Sequence, residues 1–216
     1  MKIVKAGYEI ITPINGKIIL ERIEQVGRTC YKSENRITED SAHKFVANLI
    51  KRGHEAMLEH CSFTVKFIVD RGVSHEIVRH RVASFAQEST RYCNYSKDEF
   101  GGEITFVEPF FLKEGTDGYK YWRSSCEYAE WSYFKMLDFG CTAQEARSVL
   151  PNSLKTELVM TSNLREWRHF FNLRAADKTG KAHPQMLEVT RPLLDELKTL
   201  IPVVFDDITY DGGDSK

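Results

Sequence analysis

Residues 79–92 read Arg79-His80-Arg81-Val82-Ala83-Ser84-Phe85-Ala86-Gln87-Glu88-Ser89-Thr90-Arg91-Tyr92. Three arginines and a histidine fall within thirteen positions, followed by a run of two hydroxyls, an amide and a carboxylate, with no lysine anywhere. A solvated charged face alternates its signs and uses lysine freely. Arginine is the side chain suited to a planar, bidentate grip on phosphate or carboxylate. The stretch therefore predicts a segment that binds an anion and orients a substrate.

The bulk properties narrow the kind of anion. The chain has 216 residues, 42% apolar and 28% charged, with a formal net charge of −1. Those values describe an ordinary soluble globular domain, and they exclude the overall basic field expected of a general nucleic-acid or membrane-surface binder. The arginines are a local concentration, better matched to a small ligand than to a polymer. Cys30, Cys61, Cys93, Cys126 and Cys141 are odd in number and contain no CxxC pair, which argues against a disulfide scaffold or a structural zinc site. The N-terminus lacks a signal-peptide apolar core, and no apolar run approaches the ~20 residues needed to span a bilayer. A cytoplasmic protein is the expectation.

Outward from the arginine stretch, the pattern predicts an α+β domain. A β-rich segment covers Val4 to Thr12. A helix follows from Ile18 to about Tyr31, and a second is capped by Thr38 and stopped by Gly53. A strand is expected from about Cys61 to Val69. Ser74 is read as the cap of a helix that carries Arg79-His80-Arg81 through to Val82, with a loop after Ser84. A short strand spans Ile104 to Val107. A long helix runs from Tyr119 to Phe139, its stripe of Trp122, Cys126, Ala129, Tyr133 and Met136 belonging to the core or to a subunit interface. Further helices are expected over Ala143–Leu150, after Asn163 with Glu166 at the capping-box position, and from Pro184 to Leu200. A strand covers Leu154 to Thr161. No domain boundary or repeat is visible, so residues 1–210 read as one domain and residues 211–216 as a frayed tail.

On the helix after Asn163, Arg165, Arg168, His169 and Asn172 share a polar face, while Arg174 falls inside the apolar arc of Leu164, Trp167, Phe170 and Phe171. An unpaired buried guanidinium costs several kcal/mol. Arg174 therefore has either a structural carboxylate partner or a bound anion or polarised carbonyl. The histidines match no metal-ligand spacing, and no metal is expected. Ser89 lacks a nucleophile elbow and no cysteine has a convincing nucleophile setting. A site rich in arginine, histidine and amides, without metal or nucleophile, suits phosphorylated ligands, with the hard chemistry left to an organic cofactor.

Arg79-His80-Arg81 followed by Ser89 resembles the R-H-R-x7-8-S signature of the flavin-dependent thymidylate synthases, the ThyX family. So do Gly53-His54-Glu55 with Glu59-His60, Ala146-Arg147 with Leu150-Pro151, Asn163-Leu164-Arg165 and Phe171-Asn172-Leu173-Arg174-Ala175. The resemblance implies a homotetramer with sites at subunit interfaces. It also implies conversion of dUMP to dTMP, with FAD taking hydride from NADPH and methylenetetrahydrofolate giving the carbon. By the same resemblance, His54, Ala56, Arg79, His80, Arg81, Gln87, Asn163, Arg165 and His169 would hold FAD. Glu76, Arg79, Gln87, Glu88, Ser89, Thr90, Arg91 and Arg174 would hold dUMP together with Arg147 from another chain, with Arg174 and Ser89 as the groups closest to the chemistry and no cysteine nucleophile. Positions 76, 87, 56 and 169 depart from residues common in the family, and residues 178–182 look like an insertion. The competing expectation is a non-catalytic nucleotide-binding or flavin-binding regulatory protein that kept the anion site.

Overall fold

A computed structural model describes residues 1–97 and 101–211. In chain order its elements are β1 (Lys2–Val4), β2 (Gly7–Ile10), α1 (Gly16–Thr29), α2 (Ser41–Lys51), β3 (Ser62–Asp70), α3 (Arg71–Ile77), β4 (Ala83–Gln87), β5 (Thr105–Val107), α4 (Asp117–Asp138), α5 (Ala143–Ala146), β6 (Lys155–Asn163), α6 (Leu164–Arg174) and α7 (Pro184–Leu200). The architecture is α+β, with the larger sheet in the order β2-β3-β6-β4 and a parallel pair, β1 and β5. The chain forms two compact units that interleave in sequence: Met1–Gly7, Phe67–Arg79 and Phe85–Val159 make one, and Tyr8–Lys66, His80–Ser84 and Met160–Lys216 the other.

The first unit is built around α4. Thr116 caps that helix by accepting from the Tyr119 N–H, and Gly140, at φ 88°, ends it in the left-handed region. Cys126, Ala129 and Tyr133 are buried; Cys126 and Tyr133 pack with Tyr95, Ile104, Phe106, Ala146 and Leu154, while Trp122 and Met136 lie partly buried against that cluster. The α4 stripe is thus core. Thr142 and Glu145 form a full capping box on α5, which the chain leaves through a turn of 3-10 helix over Arg147–Val149.

The second unit is built around α6. Trp167 stacks on Phe63 at 4.7 Å, and Phe170, Phe171 and Phe205 continue the aromatic core edge to face. Asn163 caps α6, its side chain accepting from the Glu166 N–H at 2.9 Å. Gly53, at φ 70°, ends α2, and the His54 N–H closes back onto the Leu49 carbonyl. That closure fixes the backbone at His54.

Several boundaries differ from the sequence expectation, each for a local reason. Asp70, not Ser74, caps α3, accepting from the Val73 N–H at 2.8 Å. Ser74 is buried inside the helix, where its hydroxyl donates to the Arg71 carbonyl. The helix ends at Ile77, so Arg79-His80-Arg81 lies in a turn rather than on a helix. His80 is buried between exposed Arg79 and Arg81, an alternation of period two that a helix does not supply. Residues 83–87, expected as loop after Ser84, form β4. The segment from Val4 to Thr12 divides into β1 and β2, which join different sheets. Helix α2 starts at Ser41 rather than after Thr38, because the Ser41 hydroxyl bonds buried Glu24 at 2.7 Å and accepts the Thr38 N–H. Helix α5 stops at Ala146, four residues short of the expected end. The expected frayed tail falls largely on residues 212–216, outside the described residues.

Candidate active site

The signature stretch distributes its side chains over two separate clusters. The first, in the α4 unit, is the turn that follows β4. At its entrance the Gln87 amide donates to Ser74 Oγ at 2.9 Å and to Thr156 Oγ1 at 3.3 Å, both buried, which pins the last residue of β4. Glu88 accepts from the Tyr95 hydroxyl at 3.0 Å, from Lys155 Nζ at 3.2 Å and from the Glu157 N–H at 3.3 Å. Burial works against the Lys155 charge, yet its bond to Glu157 and its attraction to Glu88 outweigh that and raise its pKa. Burial and then Glu88 push the Tyr95 phenol up, so it stays a protonated donor. Glu88 is thereby the fixed floor of the turn.

Above that floor lie Ser89, Thr90 and Arg91. The Arg147 guanidinium donates to the buried Thr90 hydroxyl at 3.0 Å, and Arg91 Nε donates to Gln144 Oε1 at 3.3 Å. Ser89 Oγ accepts from the Arg91 N–H at 3.4 Å. Arg147 and Arg91 are both exposed, the first held by Thr90 and the second by Gln144 and the face of the Tyr92 ring, and each guanidinium has five N–H donors to offer a dianion. Two hydroxyls and two guanidinium groups are a donor set for phosphate. Arg79 lies exposed where the chain leaves α3, its N–H closing onto the Glu76 carbonyl at 3.3 Å. Gln144, Lys155 and Glu157 were missed in the sequence, since nothing in their local pattern connects them to a turn more than fifty residues away.

The second cluster, in the α6 unit, centres on buried His80. Its Nδ1 is 3.1 Å from Glu166 Oε1, and its Nε2 accepts from Arg174 Nε at 3.3 Å. Phe170 meets the ring edge to face at 4.9 Å and His169 at 5.6 Å. Burial, then the Arg174 charge, then His169 lower the His80 pKa to about 4. The ring is neutral at physiological pH, and its contact with Glu166 is a hydrogen bond rather than an ion pair. Glu166 is itself raised, by burial first. It donates its N–H to Asn163 but turns its side chain to His80. Only half of the expected capping box forms.

Other residues singled out in the sequence take separate positions in this unit. Arg165 is exposed and pairs with Glu59 at 2.6 Å. Arg168, placed by helical spacing on the polar face, is buried; it binds both carboxylate oxygens of Asp207, at 2.6 and 2.8 Å, as well as Glu55 and the Val204 carbonyl. Arg174 is half-buried rather than enclosed, with His80 as a neutral partner. Asn172 Oδ1 is buried with no hydrogen-bond partner among the described residues. His54 and Ala56 line a cavity of about 1110 Å³ between α1 and α2, together with Tyr31, Phe45 and the cations Arg28, Arg36, Lys44 and Arg52. Arg81 is exposed beside Val82, whose carbonyl accepts from Ser162 Oγ.

His80, Glu166 and His169 offer ligand atoms within 4.8 Å of one another. A cation bound to one His80 nitrogen would displace the hydrogen bond that nitrogen makes, to Glu166 or to Arg174. The five cysteines are free thiols. Burial pushes Cys126 up to about 11 and raises Cys61, which keeps both as poor nucleophiles.

Comparison with known proteins places these features in context. The model of the family described as thymidylate synthase complementing protein matches residues 19–203. A flavin-dependent thymidylate synthase of Pyrococcus furiosus is 34% identical over 172 residues, covering 79% of this chain and 68% of the relative. One from Geobacter sulfurreducens is 30% identical, covering 83% and 78%. The chain thus spans about two thirds of the length of the archaeal relatives it matches. Among solved structures, the UMP/dUMP methylase PolB from Streptomyces cacaoi, bound with 5-Br dUMP, superposes with a TM-score of 0.76 at 23% identity, covering 95% of this chain and 96% of that one. That likeness establishes the shared fold.

Proposed function

This chain belongs to the flavin-dependent thymidylate synthase family, and we propose that it is a methyltransferase that converts dUMP to dTMP with FAD as its cofactor. Methylenetetrahydrofolate is the carbon donor and NADPH the reductant in this reading. The observation that carries it is the turn after β4, where Arg147 and Arg91 converge with Ser89 and Thr90 on a floor fixed by Glu88.

The residues present suit the cofactor. A dinucleotide brings flat rings and an anionic pyrophosphate, and the cavity beside His54 and Ala56 offers the aromatic side chains of Tyr31 and Phe45 and four cations, Arg28, Arg36, Lys44 and Arg52, within a volume typical of cofactor sites or larger. The unpartnered Asn172 Oδ1 is an acceptor awaiting a donor. His54, Ala56, Arg79, His80, Arg81, Gln87, Asn163, Arg165 and His169 are the residues we assign to FAD. Hydride transfer from the nicotinamide to the one-carbon unit is the chemistry FAD supplies when bound.

The chain's own residues bind, orient and polarise. Ser89, Thr90, Arg91 and Arg147 hold the dUMP phosphate, and Glu76, Arg79, Gln87 and Glu88 complete its site. The Arg174 guanidinium meets the uracil, stabilises negative charge developing there on ionisation at N3, and so makes C5 nucleophilic toward the methylene carbon. A cation in a partly desolvated setting stabilises such charge more than one in water. No cysteine attack is required. Ser89 serves as a positioning donor.

Self-association as a homotetramer is part of this reading. Tyr121, Tyr128 and Trp131 project from one side of α4 with 77%, 68% and 54% exposure, and Tyr128 stacks on Trp131 at 5.5 Å. Such an apolar face on a long helix suits burial against another copy. Free thiols suit a reducing compartment, the cytoplasm, and no helix among the described residues is long and apolar enough to cross a membrane.

The experiment is spectroscopic. Purified protein loaded with FAD should lose its visible absorbance with NADPH and regain it on addition of methylenetetrahydrofolate and dUMP. A protein that binds dUMP yet takes up no flavin would instead be a nucleotide-binding regulator.

A further inference from the structure

Helix α6 presents Glu166, Phe170 and Arg174 at intervals of four residues, with His169 alongside, and His80 from the turn after α3 lies against that face. The imidazole is 4% exposed, so both ring nitrogens need partners within the protein. A guanidinium has donors only, so the nitrogen 3.3 Å from Arg174 Nε, which is Nε2, must be the unprotonated one. The proton then sits on Nδ1, 3.1 Å from Glu166 Oε1, and an ionised carboxylate can only accept. The two neighbours demand the same tautomer. The Arg174 backbone is fixed from another side, because its carbonyl accepts from the Thr190 hydroxyl on α7 at 2.6 Å.

We propose that Glu166 is a positioning residue for Arg174: its carboxylate holds His80 in the Nδ1–H tautomer, and the Nε2 lone pair so exposed aims the guanidinium. This rests on the reading that Arg174 meets the uracil, and it adds a group that touches neither substrate nor cofactor. The groups facing His80 are Glu166, His169 and Arg174 on α6; burial, then Arg174, then His169 keep the ring neutral despite the Glu166 carboxylate, so the relay persists at physiological pH. Replacing the carboxylate by an amide permits the opposite tautomer. In that state Nε2–H points at an N–H of Arg174, and two donors face each other.

The experiment uses the full chain and has two arms. Nitrogen-15 NMR of histidine-labelled protein without ligands reads the tautomer directly, with no dependence on activity. The wild type should show protonated Nδ1 and bare Nε2 for His80, and Glu166→Gln should populate Nε2–H. In steady state with FAD loaded, Glu166→Gln should lower kcat about tenfold to a hundredfold, as supporting-residue losses do, with KM for dUMP nearly unchanged. Glu166→Asp, still an acceptor, should recover part of the loss. An Nε2–H imidazole in the wild type overturns the proposal, and so does an unchanged kcat in Glu166→Gln. If Glu166→Gln does not fold, the wild-type tautomer and Glu166→Asp still decide. A wild type that makes no dTMP refutes the functional reading, while the NMR arm reports on the relay regardless.

Discussion

Arg147 donates to the Thr90 hydroxyl at 3.0 Å, tying the turn after α5 to a residue 57 positions earlier. The bond holds a cation over a hydroxyl-rich turn, where Arg91, bonded to Gln144, supplies a second. Loss of a charge-assisted hydrogen bond to a phosphate costs about 1.5–3 kcal/mol. Arg147→Ala should therefore weaken dUMP binding by about tenfold to a hundredfold in calorimetry, with binding of deoxyuridine, which lacks the phosphate, changed little. Ser89→Ala should weaken dUMP in the same direction and by less. Equal losses for both ligands would place the effect in the turn's folding instead.

His80 makes stability depend on pH with a definite sign. Its pKa is about 4 in the folded chain against an ordinary 6.5, so the unfolded chain takes up a proton that the folded one refuses. That contribution is complete above about pH 6.5 and is lost as pH falls toward 4. Glu166, whose pKa is raised, acts in the opposite sense through the carboxylate range. Thermal midpoints measured across pH 4–7 should fall with acidification, and His80→Asn should flatten the slope between 6.5 and 5. A slope unchanged by the substitution would mean that His80 is not held neutral.

Arg168 carries a structural charge, and its loss should register in stability before activity. Its guanidinium binds Asp207, Glu55 and the Val204 carbonyl beside Val203, which sits at φ 77°, a strained value for a β-branched residue. Breaking a buried pair from one side costs about 3–5 kcal/mol. Asp207 is half-exposed and can rehydrate, so the lower end applies: Arg168→Met should cost about 3 kcal/mol in denaturant unfolding. Asp207→Asn should cost less. A variant as stable as wild type would show that the network is redundant.

The aromatic face of α4 gives a separate prediction. Trp131→Glu places a charge where an apolar contact between copies is expected, and should reduce the assembly size in sedimentation at micromolar concentration. Its far-ultraviolet circular dichroism should be unchanged, because Trp131 is exposed in the single chain. Assembly identical to wild type would remove this face from the interface.

How much of this was legible in the sequence differs by element. Helix α7 was readable to the residue, since Pro184 opens it and its apolar repeat runs unbroken to Leu200. The α4 core stripe was equally plain. The turn carrying Arg79-His80-Arg81 was not, because Val78 and Val82 continue a helical spacing that only the burial of His80 interrupts. Local pattern likewise made Glu166 a cap and put Arg168 on the polar face; what redirected them were His80 and Asp207, partners 86 and 39 residues away. The arginine stretch and Arg174 stood out by their chemistry, the individual ligand roles came through the resemblance, and the grouping into two clusters needed the fold.

The central claim is that this chain makes dTMP from dUMP without a cysteine nucleophile. The most direct measurement is mass spectrometry of the nucleotide after incubating FAD-loaded protein with dUMP, NADPH and methylenetetrahydrofolate carrying carbon-13 in its methylene group. The account predicts dTMP with the label in its methyl group, undiminished when the thiols are alkylated beforehand. Unlabelled dUMP alone at the end of the incubation, or loss of product on alkylation, would contradict it.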